Sequence, residues 1–289
     1  MSTDTVIYCI EQGGTLVFSG LPPYVLSTLD GLYAANAYER TTVRAEGQQG
    51  ESVIGGRFAP RELKLALTVV GESRARLREL CENAAAILSP AMSGRLTMDT
   101  PLGRRSLRVW PDSTPALSLK TDCCAGLTLT LTAYEPLFVE ESERRVEMAA
   151  YRGGFVFPLE LKDGWVFGER LRSRLTAVRN PGQTPAALRA VFEADGTVRD
   201  PFLLLVGTNE RLTLRRDLVR GDRLEIESGS ARRRVRLTRG GEQTNVMGQL
   251  DPESAFPLLP PGSSLVLCGA EEGADNLRVD LFFSPEFSV

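Results

Sequence analysis

"GLTLTLTAYEPLF", residues 126–138, sets the reading of this chain. Leu127, Leu129 and Leu131 alternate with Thr128, Thr130 and Thr132. Residues two apart share one face of a strand, so the pattern predicts a half-buried strand with leucine inside and threonine outside. Pro136 is expected to end it. "RELKLALTVVG", residues 61–71, repeats the pattern, with Leu63, Leu65, Leu67 and Val69 alternating with Glu62, Lys64, Ala66 and Thr68. The segment after it changes period. In "GESRARLRELCENAAAILSP", residues 71–90, Leu77, Leu80, Cys81, Ala84 and Leu88 fall on one helical face. Ser73 supplies an N-cap and Pro90 a stop. The apolar stripe predicts a helix packed on a core. "GRLTMDT" and "RSLRVWPD" then flank Pro101, Leu102 and Gly103, which predicts a hairpin.

Past residue 138 the pattern weakens. "VEESERRVEMAAYRG", residues 139–153, is charged and has no strong apolar period. It reads as a solvated connector, and it sets expected domains of 1–145 and 146–289. The second half alternates short strands with turns. Candidate strands are 155–161, 165–167, 171–179, 186–193, 202–208, 210–214, 223–227, 232–238, 264–268 and 276–283. "NPGQTP", "ADGTVRDP", "SGSA" and "RGGE" are turn signals between them. This spacing predicts an antiparallel sandwich or jelly roll. The fold class is thus mainly β, an N-terminal β-domain with one α-helix followed by an antiparallel β-sandwich.

Composition narrows the function. Hydrophobic residues are 42% and charged residues 25% of 289, enough apolar material for a core in each half. There are 0 histidines. That excludes Ser-His-Asp and Cys-His catalysis, histidine metal sites and histidine pH switches. The 5 cysteines, Cys9, Cys81, Cys123, Cys124 and Cys268, have no CxxC spacing and read as small hydrophobes in a reducing compartment. The net charge of -3 argues against a nucleic-acid binder. The start, "MSTDTVIYCIEQGG", lacks a signal-peptide pattern, and no stretch nears the ~18 apolar residues of a membrane helix. A soluble protein made in the cytosol is expected.

No motif carries chemistry. The glycines at 47, 50, 55 and 56 open no helix and read as a flexible loop. Glu140, Glu141 and Glu143, and Glu271 with Glu272, read as solvated charge runs. "DGTVRD", residues 195–200, lacks the spacing of a calcium loop and reads as a turn. Arg232, Arg234 and Arg236 share one strand face, a solvated face or a charged docking strip. Catalytic, cofactor-binding and metal residues are therefore assigned as none, and no cofactor is expected. The loop "GQLDPESAFPLLPPGSSLVLCG", residues 248–269, carries turn formers and apolar residues. Phe256, Leu258 and Leu259 are expected to plug an end of the sandwich. Pro260, Pro261 and Gly262 turn the chain into the next strand. Full burial of Phe256 would make its truncation cost about 3–5 kcal/mol.

The order of these segments resembles the distal tail protein family of tailed bacteriophages. Asn180, Gly182, Gly221, Asp222, Leu224, Ile226, Ser254, Phe256, Leu259, Pro261 and Gly262 match the family's C-terminal pattern. "LDGLY" at 29–33, "RFAPRELKLALTVVG", the single helix and "TLTAYEPLF" match its N-terminal order. Glu135 stands where the family often has aspartate. The resemblance implies a structural virion protein, not an enzyme, located at the phage tail tip and assembled in the host cytoplasm. It implies a homo-hexameric ring formed by the N-terminal domain and a galectin-like C-terminal sandwich. Implied partners are the tail tube protein, the tail-tip or baseplate hub protein, and receptor-binding or adsorption proteins; neither a membrane nor sequence-specific nucleic acid is implied. Residues 45–57, "AEGQQGESVIGGR", are either an arm ordered by a neighbouring subunit or a plain mobile loop. A carbohydrate-binding module is the alternative, with Trp165 or Trp110 as platforms.

Overall fold

The computed structural model describes residues 6–10, 14–100, 103–148, 150–153, 168–171, 175–229 and 233–288. The chain forms two compact units, one of Met1–Glu141 with Phe287–Val289 and one of Ser142–Glu286.

The first unit contains β1 (Val6–Ile10), β2 (Thr15–Phe18), β3 (Tyr24–Asp30), β4 (Tyr38–Val43), β5 (Ser52–Phe58) and β6 (Arg61–Val70). Helix α1 (Arg74–Ile87) follows, then β7 (Gly94–Thr100), β8 (Gly103–Pro111), β9 (Ala116–Thr121), β10 (Cys124–Ala133) and β11 (Phe138–Glu140). The main sheet runs β2-β1-β7-β8-β10-β6-β3, with β9 on β10 and β11 on β8. Strands β6 and β10 pair along their whole length, from Cys124 opposite Val70 to Ala133 opposite Arg61. Directly opposed residues share a face, so the two leucine series meet. Leu63, Leu65, Leu67, Val69, Leu127, Leu129 and Leu131 are all buried, while Glu62, Lys64 and Thr128 are exposed. The threonine face has one exception. Thr132 is buried, and its hydroxyl donates to Asp112 Oδ2 at 3.0 Å.

The helix forms where its stripe predicts. Ser73 Oγ accepts from the Arg76 N–H at 3.2 Å, and Leu77, Leu80, Cys81, Ala84 and Ile87 are buried. Tyr24 OH donates to Leu80 O at 3.0 Å and accepts from Asn83 Nδ2 at 3.2 Å, tying β3 to the helix. Arg61 closes the opposite side. Its side chain is buried, and Nη1 donates to Leu32 O at 2.5 Å and to Gly31 O at 3.2 Å. Nη2 donates to Ser288 O at 2.7 Å. The guanidinium also lies 5.0 Å from the Phe138 ring centre. Burial lowers its pKa from the usual arginine value, because a charge is costly where water is excluded.

The second unit contains β12 (Arg144–Glu147), β13 (Ala150–Gly153), β14 (Gly168–Leu171), β15 (Leu175–Asn180), β16 (Ala186–Ala194), β17 (Arg199–Leu205) and β18 (Glu210–Thr213). It continues with β19 (Arg223–Ser228), β20 (Arg233–Arg239), β21 (Glu242–Asn245), β22 (Leu258–Leu259), β23 (Gly262–Glu272) and β24 (Leu277–Phe283). The last strand, β25 (Glu286–Phe287), belongs through Phe287 to the first unit, where it pairs with β11. One sheet runs β12-β24-β16-β19-β20-β21 with β22 on β16, and the other runs β15-β23-β17-β18. Phe192, Leu224, Ile226 and Val235 from the first meet Val178, Leu203, Leu205 and Val266 from the second in one core. The fold is mainly β with one α-helix, as expected.

Two expectations need correction. Residues 139–153 are not a bare connector, because β12 pairs with β24 and Met148 is buried, its N–H bonded to Val279 O at 3.0 Å. Here backbone pairing at a sheet edge makes the strand, and apolar alternation is not needed. Strand β21 went unread for the same reason, since all of its residues are exposed. The candidate strands 155–161 and 165–167 lie outside the described residues.

The residues that carry the family resemblance fix backbone geometry. Asn180 is buried; its Nδ2 donates to Thr184 O and Leu259 O at 3.0 Å each, and its Oδ1 accepts from Gly182 N at 2.8 Å. A Cβ on Gly182 would stand 2.7 Å from Glu286 O, so the chain passes there only as glycine. Gly221 turns with φ 89° into Asp222. Asp222 is buried and accepts from Arg239 Nε at 2.9 Å and from Val219 N at 2.9 Å. Burial alone would raise the Asp222 pKa, but Arg239 and the Val219 N–H hold it below the usual carboxylate range. Ser254 Oγ accepts from Thr213 N at 3.0 Å, and Leu259 is fully buried. Phe256 is only half-buried against the core, with the Arg233 guanidinium 5.5 Å from its ring centre. It caps the sandwich without filling it.

Leu127→Ala and Leu224→Ala, both in fully buried positions, should each cost about 3–4 kcal/mol. Calorimetry should show each lowering the transition of its own unit. Phe256→Ala should cost about 1–2 kcal/mol, because a half-exposed ring removes less apolar area from water. The Asp222 carboxyl has a lowered folded pKa, so its contribution is complete above about pH 4, the unfolded carboxylate value. It is lost as pH falls through the folded value. Melting curves from pH 6 to pH 3 should show a smaller acid-induced loss of stability in Asp222→Asn than in the parent, on a lower baseline.

Candidate assembly surfaces

Residues 38–58 stand apart from every sheet. Among the described residues, strands β4 and β5 pair only with each other, with Tyr38 opposite Phe58 and Val43 opposite Ser52. The register shifts between Thr41 and Thr42, which sets Ile54 at a bulge. The root is braced. Tyr38 meets Phe58 edge-on at 5.0 Å, and Glu39 pairs with Arg57 at 3.0 Å. Beyond the root the hairpin offers apolar side chains to water: Val43 is 50%, Val53 61% and Ile54 65% exposed. A two-stranded hairpin is marginal alone in water, so these side chains are suited to a partner. Residues 45–51 thus form the turn of a hairpin and 52–57 lie on its second strand. Sequence reasoning missed β4 and β5 because neither buries a face, so neither alternates.

Strand β9 is a second such place. It pairs with β10, Leu117 opposite Leu127 and Ser118 opposite Gly126, and all of its residues are exposed. Leu119 is 76% exposed. The outer face of β3, β6, β10 and β9 holds a trough of about 270 Å³ floored by Ala66, Thr68, Ser118, Gly126 and Thr128. Leu67, Leu117 and Lys120 line it beside these small residues. Lys120 leans across it, with Cε 3.3 Å from where a Cβ on Gly126 would stand.

The charged clusters singled out in the sequence are bound up in ion pairs. Glu141 pairs with Arg104 at 3.0 Å, Glu143 with Arg189 at 2.5 Å, and Glu272 with Arg199 at 3.1 Å. Glu271 shares Arg215 with Asp200 and Asp251. The turn at 195–200 therefore spends Asp200 on an arginine. Arg236 bonds Glu227 at 2.8 Å and lies 3.5 Å from Glu225, while Arg232 lies outside the described residues. The arginine strip is interleaved with glutamate across β19 and β20, which suits a solvated face. Trp110 is half-buried, meets Tyr134 edge-on at 5.5 Å and carries Arg108 4.9 Å from its ring centre. Trp165 lies outside the described residues. Among the described residues no helix is long and apolar enough to cross a membrane.

Residues 11–132 match the family of the phage tail protein RIFT-related domain. No curated protein sequence matches the chain. Among solved structures, the Dit (gp 19.1) protein of phage SPP1, titled a paradigm of the hub adsorption apparatus in phages infecting Gram-positive hosts, is similar at 13% identity and a TM-score of 0.66. That likeness covers 98% of this chain and 99% of the other. A chain of the phage P2 baseplate in its activated conformation with calcium is similar at 10% identity and a TM-score of 0.58, over 100% of this chain and 99% of that one. Residues 11–132 thus match a phage tail RIFT-related domain, and over nearly its whole length the chain shares the fold of the SPP1 Dit protein.

Proposed function

We propose that this protein is a distal tail protein, a structural virion component at the tip of a phage tail. The observation that carries this reading is the fold likeness to a distal tail protein over 98% of the chain, together with the tail-protein domain at 11–132. In this role the first unit closes into a homo-hexameric ring that continues the tail tube. The second unit, a galectin-like sandwich, holds tail-tip, baseplate or adsorption proteins. The work is binding and not catalysis, which agrees with the ion-paired state of the carboxylates at 141–143 and 271–272. A closed ring needs one patch to meet a different patch on the next copy. The hairpin and the β9 edge supply two unlike patches on the same unit. A sugar-binding reading has less support, since Arg108 and Tyr134 both occupy the surroundings of Trp110.

Negative-stain microscopy of the purified protein, alone and with tail tube protein, should show closed six-fold rings. A protein that stays monomeric under both conditions would falsify the ring reading. The pair Val53→Glu with Ile54→Lys should stop ring closure while changing stability by less than about 0.5 kcal/mol, because both side chains are mostly exposed. Light scattering and a melting curve on the same sample separate the two effects.

A further inference from the structure

We propose that the outer face of the sheet β15-β23-β17-β18 is a docking site for one extended segment of another tail protein, aliphatic along its middle and acidic at one end. This deepens the distal-tail reading and rests on it, since it names what the second unit holds and where. Three features of that face point to it.

The first is its apolar surface. The inward residues of these strands, among them Val178, Leu203, Leu205 and Val266, fill the core of the second unit. Their neighbours in sequence face the other way. On that side Leu267 stands opposite both Leu175 and Leu204, so three leucines form one row across three strands. In the row beside it the Val206 N–H bonds Leu265 O at 3.0 Å. Leu175 is 48%, Leu265 45% and Val206 43% exposed. In the row on the other side Phe202 stands opposite Gly269, where a Cβ would lie 2.9 Å from the ring. Glycine there lets the ring lie against the sheet, and the Arg211 guanidinium lies 4.1 Å from its centre. The three rows make a shallow apolar strip.

The second is area. Four strands span about 14 Å and three rows cover about 14 Å along them, so the strip is on the order of 200 Å². A stable pair of proteins needs about 800 Å² on each partner, so the strip is too small to hold a second copy by itself. It has the size of one strand-length segment. A ring presents the strip once per copy, and linked contacts gain affinity with no added area.

The third is charge. Arg179, opposite Ser263, closes one end of the strip, and Arg211, opposite Leu204, closes one side. Both are exposed, and among the described residues neither belongs to an ion pair. At the far end Asp200, Asp251 and Glu271 share Arg215, which leaves a surplus of carboxylate there. An incoming segment is thus drawn with its acidic end toward Arg179 and Arg211 and away from Asp200 and Glu271.

Photo-cross-linking in assembled tails tests the site. Benzoylphenylalanine is placed at Leu265, at Val206, or at the exposed control Arg234 on the other sheet. Mass spectrometry then identifies the joined sequence. Leu265 and Val206 should each join a different tail protein, through a peptide with an aliphatic run and aspartate or glutamate beside it, well above the yield at Arg234. Arg179→Glu with Arg211→Glu should lower that yield about tenfold, since both rim charges are reversed. Yields equal to the Arg234 control overturn the proposal. So does a product that joins a second copy or this chain itself, or a joined peptide without carboxylates. A chain present in the tails that gives no product at Leu265 rejects the docking site alone. A chain absent from the tails rejects the distal-tail reading and the docking site with it.

Discussion

The ladder between β6 and β10 is the constraint on which the first unit is built. It pairs every residue from Cys124 to Ala133 with one from Val70 to Arg61. With a side-chain period of two, that register commits both leucine series to one face and leaves glutamate, lysine, threonine and alanine on the other. A slip of one residue would turn four buried leucines or valines of β6 outward. The inner face then collects the helix stripe and the remaining strands into one core. The outer face keeps Glu62, Lys64 and Thr128 exposed. One register thus makes both a core and a trough.

Arg61 shows how the same ladder ends. It stands at the β6 terminus opposite Ala133, where the alternation would place an apolar residue. It is buried, and among the described residues backbone carbonyls of residues 31, 32 and 288 take its Nη donors while Nε has no partner. Carbonyl oxygens bond the two Nη groups without adding a second buried charge, so the desolvation cost falls on one group only. The price is geometric, since the carbonyls must converge. That convergence draws the 29–33 turn and residue 288 onto the same corner.

The sequence made much of the buried fold legible, although β1 and β2, which bury Val6, Tyr8, Leu16 and Phe18, went unread. Burial writes a period into the chain. The leucine alternation at 61–69 and 127–131, the helix stripe from Leu77 to Leu88 and the last strand, 277–283, all follow from it. Strands formed by backbone pairing at an edge leave no such record. The hairpin at 38–58, the strand at 144–147 and the strand at 242–245 have exposed or half-exposed side chains throughout. The resemblance was carried by a different signal. Asn180, Gly182, Gly221 and Asp222 set turns by hydrogen bonds, close approach and positive φ, and each is demanded by local backbone geometry. Phe256 was read as a full plug from its apolar neighbours, yet it is half-exposed. The turn before it, fixed by Ser254 on Thr213, holds it at the rim of the core.

Among the unread segments, the hairpin β4–β5 and strand β9 are suited to assembly, and for these the two facts have one origin. A segment that satisfies itself within its own chain must bury a face and so becomes periodic. A segment completed by another copy leaves its apolar side chains exposed until the partner arrives. Val53, Ile54 and Leu119 carry more exposed apolar surface than a solitary domain gains from, and each sits on an edge or a free hairpin. Two such places on one unit, unlike in shape and charge, are what a repeating contact between copies requires. A two-fold pairing would need a single patch that matches itself, whereas a ring needs two unlike ones.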